Sequence, residues 1–357
     1  MRRTSDLQIV VYQPSRAPVG IKWARMFQFA LLVLGAGLLV ALMAHMDFAA
    51  VGERLVQVGW AFPLAAVVHL AGIGFMARGW YEVIDPRFSR AGFGEVLSAY
   101  WTGHVINSLT PVRSLGDVLA GTILKDQNRL DGEELVASIV LLNFIASLSS
   151  LVFVLFGPLI CITAGFHRGV SLSLLLGFLG IFIPLALIYV LLRLGLADRV
   201  IRLLNRLPGV RFNNPDARVA QAREVDRRIR KSLTTRRTPF LRSLSSWLLV
   251  RLLQALEIWI LLYALLPGAG IAELALLATL AQTGALLVGG FLAFVPGQIG
   301  VAEGGSALLF GMIGYPPLLG LSMELVRRVC KLVGIGVGLT LGSSHILRSR
   351  STPSPGG

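Results

Sequence analysis

Charge is scarce in this sequence. Of 357 residues, 15% are Asp, Glu, Lys or Arg, against roughly 25% in an ordinary soluble domain. Hydrophobic residues reach 55% and the mean hydropathy is +0.72. A soluble globule with that balance would expose apolar patches beyond the few hundred Å² or so that a monomer tolerates, so a soluble fold and a large soluble enzymatic module are both excluded. Cysteine is almost missing. Cys161 and Cys330 sit alone in apolar segments with no C-x-x-C or Cys/His spacing, so neither a disulfide framework nor a metal site is signalled. The five histidines are scattered, no D-x-D pair occurs, and no glycine loop is followed by Lys-Ser/Thr. No cofactor, metal or nucleotide is therefore expected. Acids are also outnumbered, 19 against 33 Lys and Arg, for a net charge of +14. In so apolar a chain that excess is read as arginine in cytoplasmic loops rather than as a nucleic-acid surface.

What the chain does have is long apolar runs. Residues 26 to 46, 58 to 78, 135 to 160, 170 to 193, 246 to 266, 271 to 295 and 317 to 343 each reach the roughly 20 residues that a spanning helix needs. Two weaker stretches, 96 to 112 and 299 to 314, either span or leave by the side they entered. The fold class expected is an all-α polytopic membrane protein of about eight transmembrane helices plus a re-entrant or broken helical element. Residues 1 to 25 carry Arg2, Arg3, Arg16, Lys22 and Arg25 before the first apolar run, which reads as a cytoplasmic basic tail followed by a retained anchor, not a cleavable signal peptide. Residues 26 to 343 form the transmembrane domain, with a cytoplasmic basic loop at 194 to 245, and 344 to 357 form a disordered tail.

Loop charge sets the crossings. Residues 193 to 242 hold fourteen Lys and Arg against four acids, net +10, and so belong on the cytoplasmic side. The basic N-terminus agrees with that only if four spans lie between, which makes 96 to 112 re-entrant. A cytoplasmic C-terminus in turn needs 299 to 314 to cross as a short helix. Within the loop, Val219, Ala222, Val225 and Ile229 recur at near-helical spacing among arginines. That reads as a solvated topology determinant or as a surface helix lying on an anionic leaflet.

Ionisable groups inside a bilayer are costly and mark function or tight ion pairing. The last span carries Glu324, Arg327, Arg328 and Lys331. Its four-residue spacing predicts a Glu324 to Arg328 pair, which leaves Arg327 and Lys331 seeking an anion; a structural ion-pair network is the other reading. Gly334, Gly338 and Gly342 line one face for close helix packing. Arg251 is expected to snorkel to the surface, while Glu257 needs a partner elsewhere. Two elements interrupted by Pro and Gly occupy comparable places in the two halves: Pro111, Arg113, Gly116 and Asp117, then Pro296, Gly297, Gly300, Glu303 and Gly304. Broken helices present unpaired backbone groups to a midplane ligand, and their N-termini suit a phosphate.

The pattern N-x-x-x-P-x-R-x-x-G-D at Asn107, Pro111, Arg113, Gly116 and Asp117, then P-G-x-x-G-x-x-E at Pro296, Gly297, Gly300 and Glu303, then a charged last span with Arg327, resembles the lysylphosphatidylglycerol synthase transmembrane (flippase-like) family over roughly residues 25 to 343. Asp117 stands where glutamate is more usual, and Gln298 where glycine is. The resemblance implies a multi-pass protein of the bacterial inner membrane with its N-terminus cytoplasmic, handling membrane lipids. Their phosphate headgroup would be held by Arg113, Arg327 and Arg328, with Asp117, Glu303 and Glu324 balancing charge. The family's aminoacyl transfer belongs to a soluble domain that this sequence does not show, so lysyl transfer is not expected. The competing expectations are an intramembrane transferase using Asp117 and Glu303 as acid and base, and a non-catalytic subunit whose partners are lipid-synthesis enzymes of hopanoid or glycolipid pathways. Oligomeric state is open.

Overall fold

The computed structural model describes residues 56–109, 115–126, 129–163, 168–194, 215–292, 295, 298 and 300–350. The N-terminal tail, the first apolar run, Pro111, Arg113, Pro296 and Gly297 lie outside the described residues. Eleven helices are described: α1 (Ala61–Val83), α2 (Phe93–Leu109), α3 (Leu115–Asp126), α4 (Gly132–Val154), α5 (Phe156–Thr163), α6 (Arg168–Leu194), α7 (Pro215–Thr234), α8 (Arg237–Leu265), α9 (Ile271–Phe291), α10 (Val301–Met312) and α11 (Pro317–Arg350). No strand occurs among the described residues beyond one isolated bridge, Ser89 with Leu130. The architecture is an all-α polytopic membrane fold.

Local sequence marks the helix ends. Asp131 accepts a hydrogen bond from the Gly132 amide at 3.0 Å and caps α4. Pro215 and Pro317 open α7 and α11, where a missing N–H costs nothing. Among the described residues, five helical stretches are long and apolar enough to cross a membrane: Ala61–Val83, Gly132–Ile162 (α4 with α5), Ser171–Leu191, Arg237–Leu265 and Ile271–Phe291. At 34 residues α11 exceeds the length required, but four charged residues in its middle hold its apolarity below that of the five.

One face of the bundle is defined by ion pairs. Arg228 of α7 reaches Asp131 at 2.8 Å and Glu134 at 3.5 Å, and Lys231 and Arg236 each lie 3.7 Å from Asp85. The end of α1, the starts of α4 and α8, and the whole of α7 therefore share a basic face. From there α8 runs away and α9 returns. The turn before α11 lies at the opposite face, where the Tyr315 hydroxyl donates to Glu273 near the start of α9. That hydrogen bond, which holds the phenolic proton, pushes the Tyr315 hydroxyl up to about 12, and burial and the Glu273 charge add to it.

Of the segment 96 to 112, the described residues up to Leu109 belong to α2, the first arm of a hairpin. Gly103 and Gly116 meet backbone to backbone, and a Cβ on Gly116 would fall 1.9 Å from the Gly103 carbonyl oxygen. The arms are thus antiparallel. Their outer ends are joined at the basic face, where the Arg90 amide donates to the Arg129 carbonyl at 2.8 Å and the Asp131 amide to the Phe88 carbonyl at 3.1 Å. The 17 and 12 residues of α2 and α3 rise about 25 and 18 Å, less than a hydrocarbon core of about 30 Å. The chain enters and leaves by one face. Helix α7 departs from the reading of a helix lying on lipid: Ala222 and Ile229 are buried, and Val225 packs against the same core cluster. Its apolar stripe and Arg228 turn to the bundle, while Arg223, Arg227 and Arg230 face outward.

Candidate functional site

The buried apolar side chains fall into two clusters, one toward the basic face and one toward the opposite face. In α1 the first runs from Ile73 onward and the second stops at Ala66; in α8 they meet between Val250 and Ile258. The gap is filled by polar residues. His69 is eight residues from the start of α1, Glu257 eight from the end of α8, and Arg327 ten from the start of α11, which places all three about 12 to 15 Å from the same face. That is close to half the depth of a bilayer core.

Helix α11 carries the centre of this layer. Arg327 Nη1 donates to Glu324 Oε1 at 2.7 Å, and its Nε lies 3.6 Å from Glu257 Oε1. Glu257 Oε2 accepts from His69 Nδ1 at 3.2 Å, and the Ser306 hydroxyl of α10 donates to Glu324 Oε1 at 3.3 Å. Arg328 is ion-paired with Glu303. The pairing expected between Glu324 and Arg328 is not the one formed. Glu324 takes Arg327, one residue nearer, because α10 packs along α11 and offers Glu303 to Arg328. Arg327 is therefore not left seeking an anion. Lys331 is. No hydrogen bond or ion pair to its ammonium occurs among the described residues, although Glu257, Glu324 and Arg327 lie within electrostatic reach.

The second interrupted element resolves as a half-helix. Gly300 has φ +77° and Gln298 φ +54°, a left-handed geometry that glycine takes freely and glutamine rarely. Helix α10 begins there and rises about 18 Å over its 12 residues, so its N-terminus starts inside the layer. That N-terminus does not wait for a phosphate. The Glu303 carboxylate accepts from the Gly300 amide at 3.0 Å and supplies the negative charge that a helix N-terminus favours.

The hairpin holds the other group. Asn107 Nδ2 donates to Asp117 Oδ1 at 2.8 Å, and Asn107 Oδ1 accepts from the Gly116 amide at 2.7 Å. Asn143 of α4 donates to the second Asp117 oxygen at 3.4 Å. Trp80, Tyr100, Ile139 and Leu142 close around Asp117 on its other side. The structure thus sorts the sequence-predicted residues in two. Asn107, Gly116 and Asp117 close the hairpin, while Gly300, Glu303, Glu324, Arg327 and Arg328 form the ionic layer. Helix α11 links the two groups: Gly338 lets α2 approach through Val105 and Trp101, Gly334 lets α1 approach through Ile73 and His69, and Trp101 Nε1 donates to the Gly334 carbonyl at 2.9 Å. The surroundings of Gly342 lie outside the described residues.

Sequence reasoning named Lys331 among the cations seeking an anion but missed His69 and the partners of Glu257, which depend on which helices are neighbours. The isolated histidine in an apolar span was the only available signal for His69. Arg251 is a correction. It does not snorkel: 8% of it is exposed, and its guanidinium donates to Ser149, Gln254 and the Ala146 carbonyl. Helix α8 starts at Arg237, which places Arg251 about 21 Å along it, too deep to reach the face.

A polytopic all-helical membrane protein with an ionic layer at half depth, flanked by a re-entrant hairpin and a half-helix, is the class that fold and site define. The chain belongs to the lysylphosphatidylglycerol synthase TM region family, which it matches over residues 27–338. A comparison with curated proteins finds no match.

Proposed function

We propose that this protein is a lipid translocase that holds the phosphate headgroup of an anionic or zwitterionic membrane lipid in the half-depth layer. The observation that carries this reading is the Lys331 ammonium. It is a cation inside an apolar bundle, beside a network whose other basic groups are already committed to carboxylates. Lys331 is half-buried; a cation without a partner in such surroundings is costly, and an anionic ligand supplies the partner. Arg327 and Arg328 then shape the field around the headgroup instead of grasping it, and Arg113 belongs with the candidate ligands on sequence grounds. Family membership supports lipid handling. The basic face is assigned to the cytoplasm of a bacterial inner membrane, by the bias of arginine toward that side.

The test is leaflet-resolved lipid exchange in proteoliposomes of the purified protein. The wild type is expected to accelerate exchange and Lys331→Met to abolish it while remaining folded. Acceleration retained by the variant would remove Lys331 from the path. A wild type that accelerates none of the major bacterial phospholipids would overturn the translocase reading itself.

A further inference from the structure

The charges of the ionic layer balance. Glu257, Glu303 and Glu324 face Arg327, Arg328 and Lys331, three against three. Asp117 and Arg251, both within electrostatic reach of Tyr100, add one of each sign. With a neutral His69 the described residues of the layer sum to zero, so an anion entering alone would leave one negative charge in a low-dielectric interior, which is strongly unfavourable.

His69 can supply the missing positive charge. Glu257, held against Arg327, is an acceptor only, so the proton of the neutral imidazole sits on Nδ1, the atom 3.2 Å from Glu257 Oε2. That leaves Nε2 with a lone pair, buried and without a hydrogen-bond partner. It faces Gly334, where a Cβ would stand only 3.6 Å away. Glu257 Oε1 and Arg327 Nε, 3.6 Å apart, also lack hydrogen bonds, so this corner of the network is only half closed. A proton on Nε2 converts the His69 to Glu257 hydrogen bond into an ion pair, draws Glu257 away from Arg327, and turns Arg327 Nε toward an anion. The titratable groups in reach of His69 are Glu257 from α8 and His104 from α2, with Arg327 and Lys331 of α11 acting on Glu257, Lys331 on His104, and Cys330 beside Glu257. Histidine is the side chain that ordinarily changes charge between about pH 5 and 8.

We infer that the layer loads an anionic lipid headgroup together with one proton, taken up on His69 Nε2 and released when the headgroup leaves, so that the site is electrically neutral both empty and full. This rests on the reading that the headgroup binds in this layer. The ligand class it favours is a lipid with a single phosphodiester charge, which one proton balances.

The decisive experiment is calorimetric titration of the detergent-purified protein with dihexanoyl phosphatidylglycerol at about pH 7.5, in two buffers of different ionisation enthalpy, which counts protons taken up per lipid bound. The expected count is about one for the wild type and about zero for His69→Gln, whose amide keeps a donor toward Glu257. In proteoliposomes, exchange of the same headgroup should slow on the order of tenfold from about pH 6 to about pH 8 in the wild type and stay flat in the variant. Wild-type binding without proton uptake overturns the inference and leaves the headgroup reading standing, with no variant needed. Proton uptake unchanged in His69→Gln overturns the assignment to His69. Absence of binding at every pH overturns the headgroup reading, and this inference with it.

Discussion

Two cations four residues apart on α11 have opposite relations to their surroundings, and that difference is measurable. Arg327 holds two buried carboxylates, Glu324 and Glu257, and removing one member of a buried pair strands the rest at a cost of about 3 to 5 kcal/mol. Arg327→Ala should therefore lower the thermal midpoint in detergent steeply. Lys331→Met strands no carboxylate and should leave that midpoint near the wild-type value, or raise it, while lipid exchange is lost. Equal destabilisation by the two substitutions would mean that Lys331 is structural after all. The types and spacing of these residues were legible in the sequence; their partners were not. Four-residue spacing favours Glu324 with Arg328 on an isolated helix, and that preference of a few tenths of a kcal/mol or so yields to a neighbouring carboxylate presented by α10.

The hairpin of α2 and α3 and the strap of α7 are the elements on which the site depends. Gly116→Ala places a methyl 1.9 Å from the Gly103 carbonyl oxygen, backbone against backbone, so the arms must separate and Asn107 must release Asp117. Lipid exchange should fall with it, and hydrogen exchange of the α2 and α3 amides should quicken. Wild-type protection of those amides would show that the close approach is dispensable. Helix α7 holds the hairpin's base through Arg228, which reaches Asp131 and Glu134 and lies 3.9 Å over the Phe88 ring. Arg228→Ala is expected to expose residues 215–236 to limited trypsin digestion, and an unchanged cleavage pattern would refute the strap.

Within α7, Glu224 hydrogen-bonds Arg227 and Arg228, which lower its carboxyl to about 2. A carboxyl held below its unfolded value contributes stability above that value and loses it only as pH falls through the folded one. Amide protection of α7 should therefore persist down to about pH 4 and decline toward about pH 2. Amphipathic spacing predicted this helix but not its substrate: the same apolar stripe serves a lipid surface or a protein one, and the carboxylates at Asp131 and Glu134 make the bundle the better partner.

At the scale of the molecule, α7 and the turn before α9 lie on opposite faces. Cys161 and Cys330 are fully buried, so single cysteines can be labelled without removing them. Arg230→Cys and Ile271→Cys, at exposed positions, should react with an impermeant maleimide from opposite sides of a sealed vesicle. Labelling from one side would contradict the arrangement of α8 and α9. Composition and run length by themselves determined the membrane class and the all-helical fold, because the cost of unpaired backbone in hydrocarbon leaves a chain this apolar few other forms. Loop charge determined which helix ends share a face. Only the tertiary structure decided which charges are spent on one another, that α10 caps itself with Glu303, and that His69 comes to Glu257 across 188 residues of chain. Those outcomes turn on distances of a few ångströms between helices remote in sequence, and the energy of a buried ion pair is set by that distance and by the burial around it.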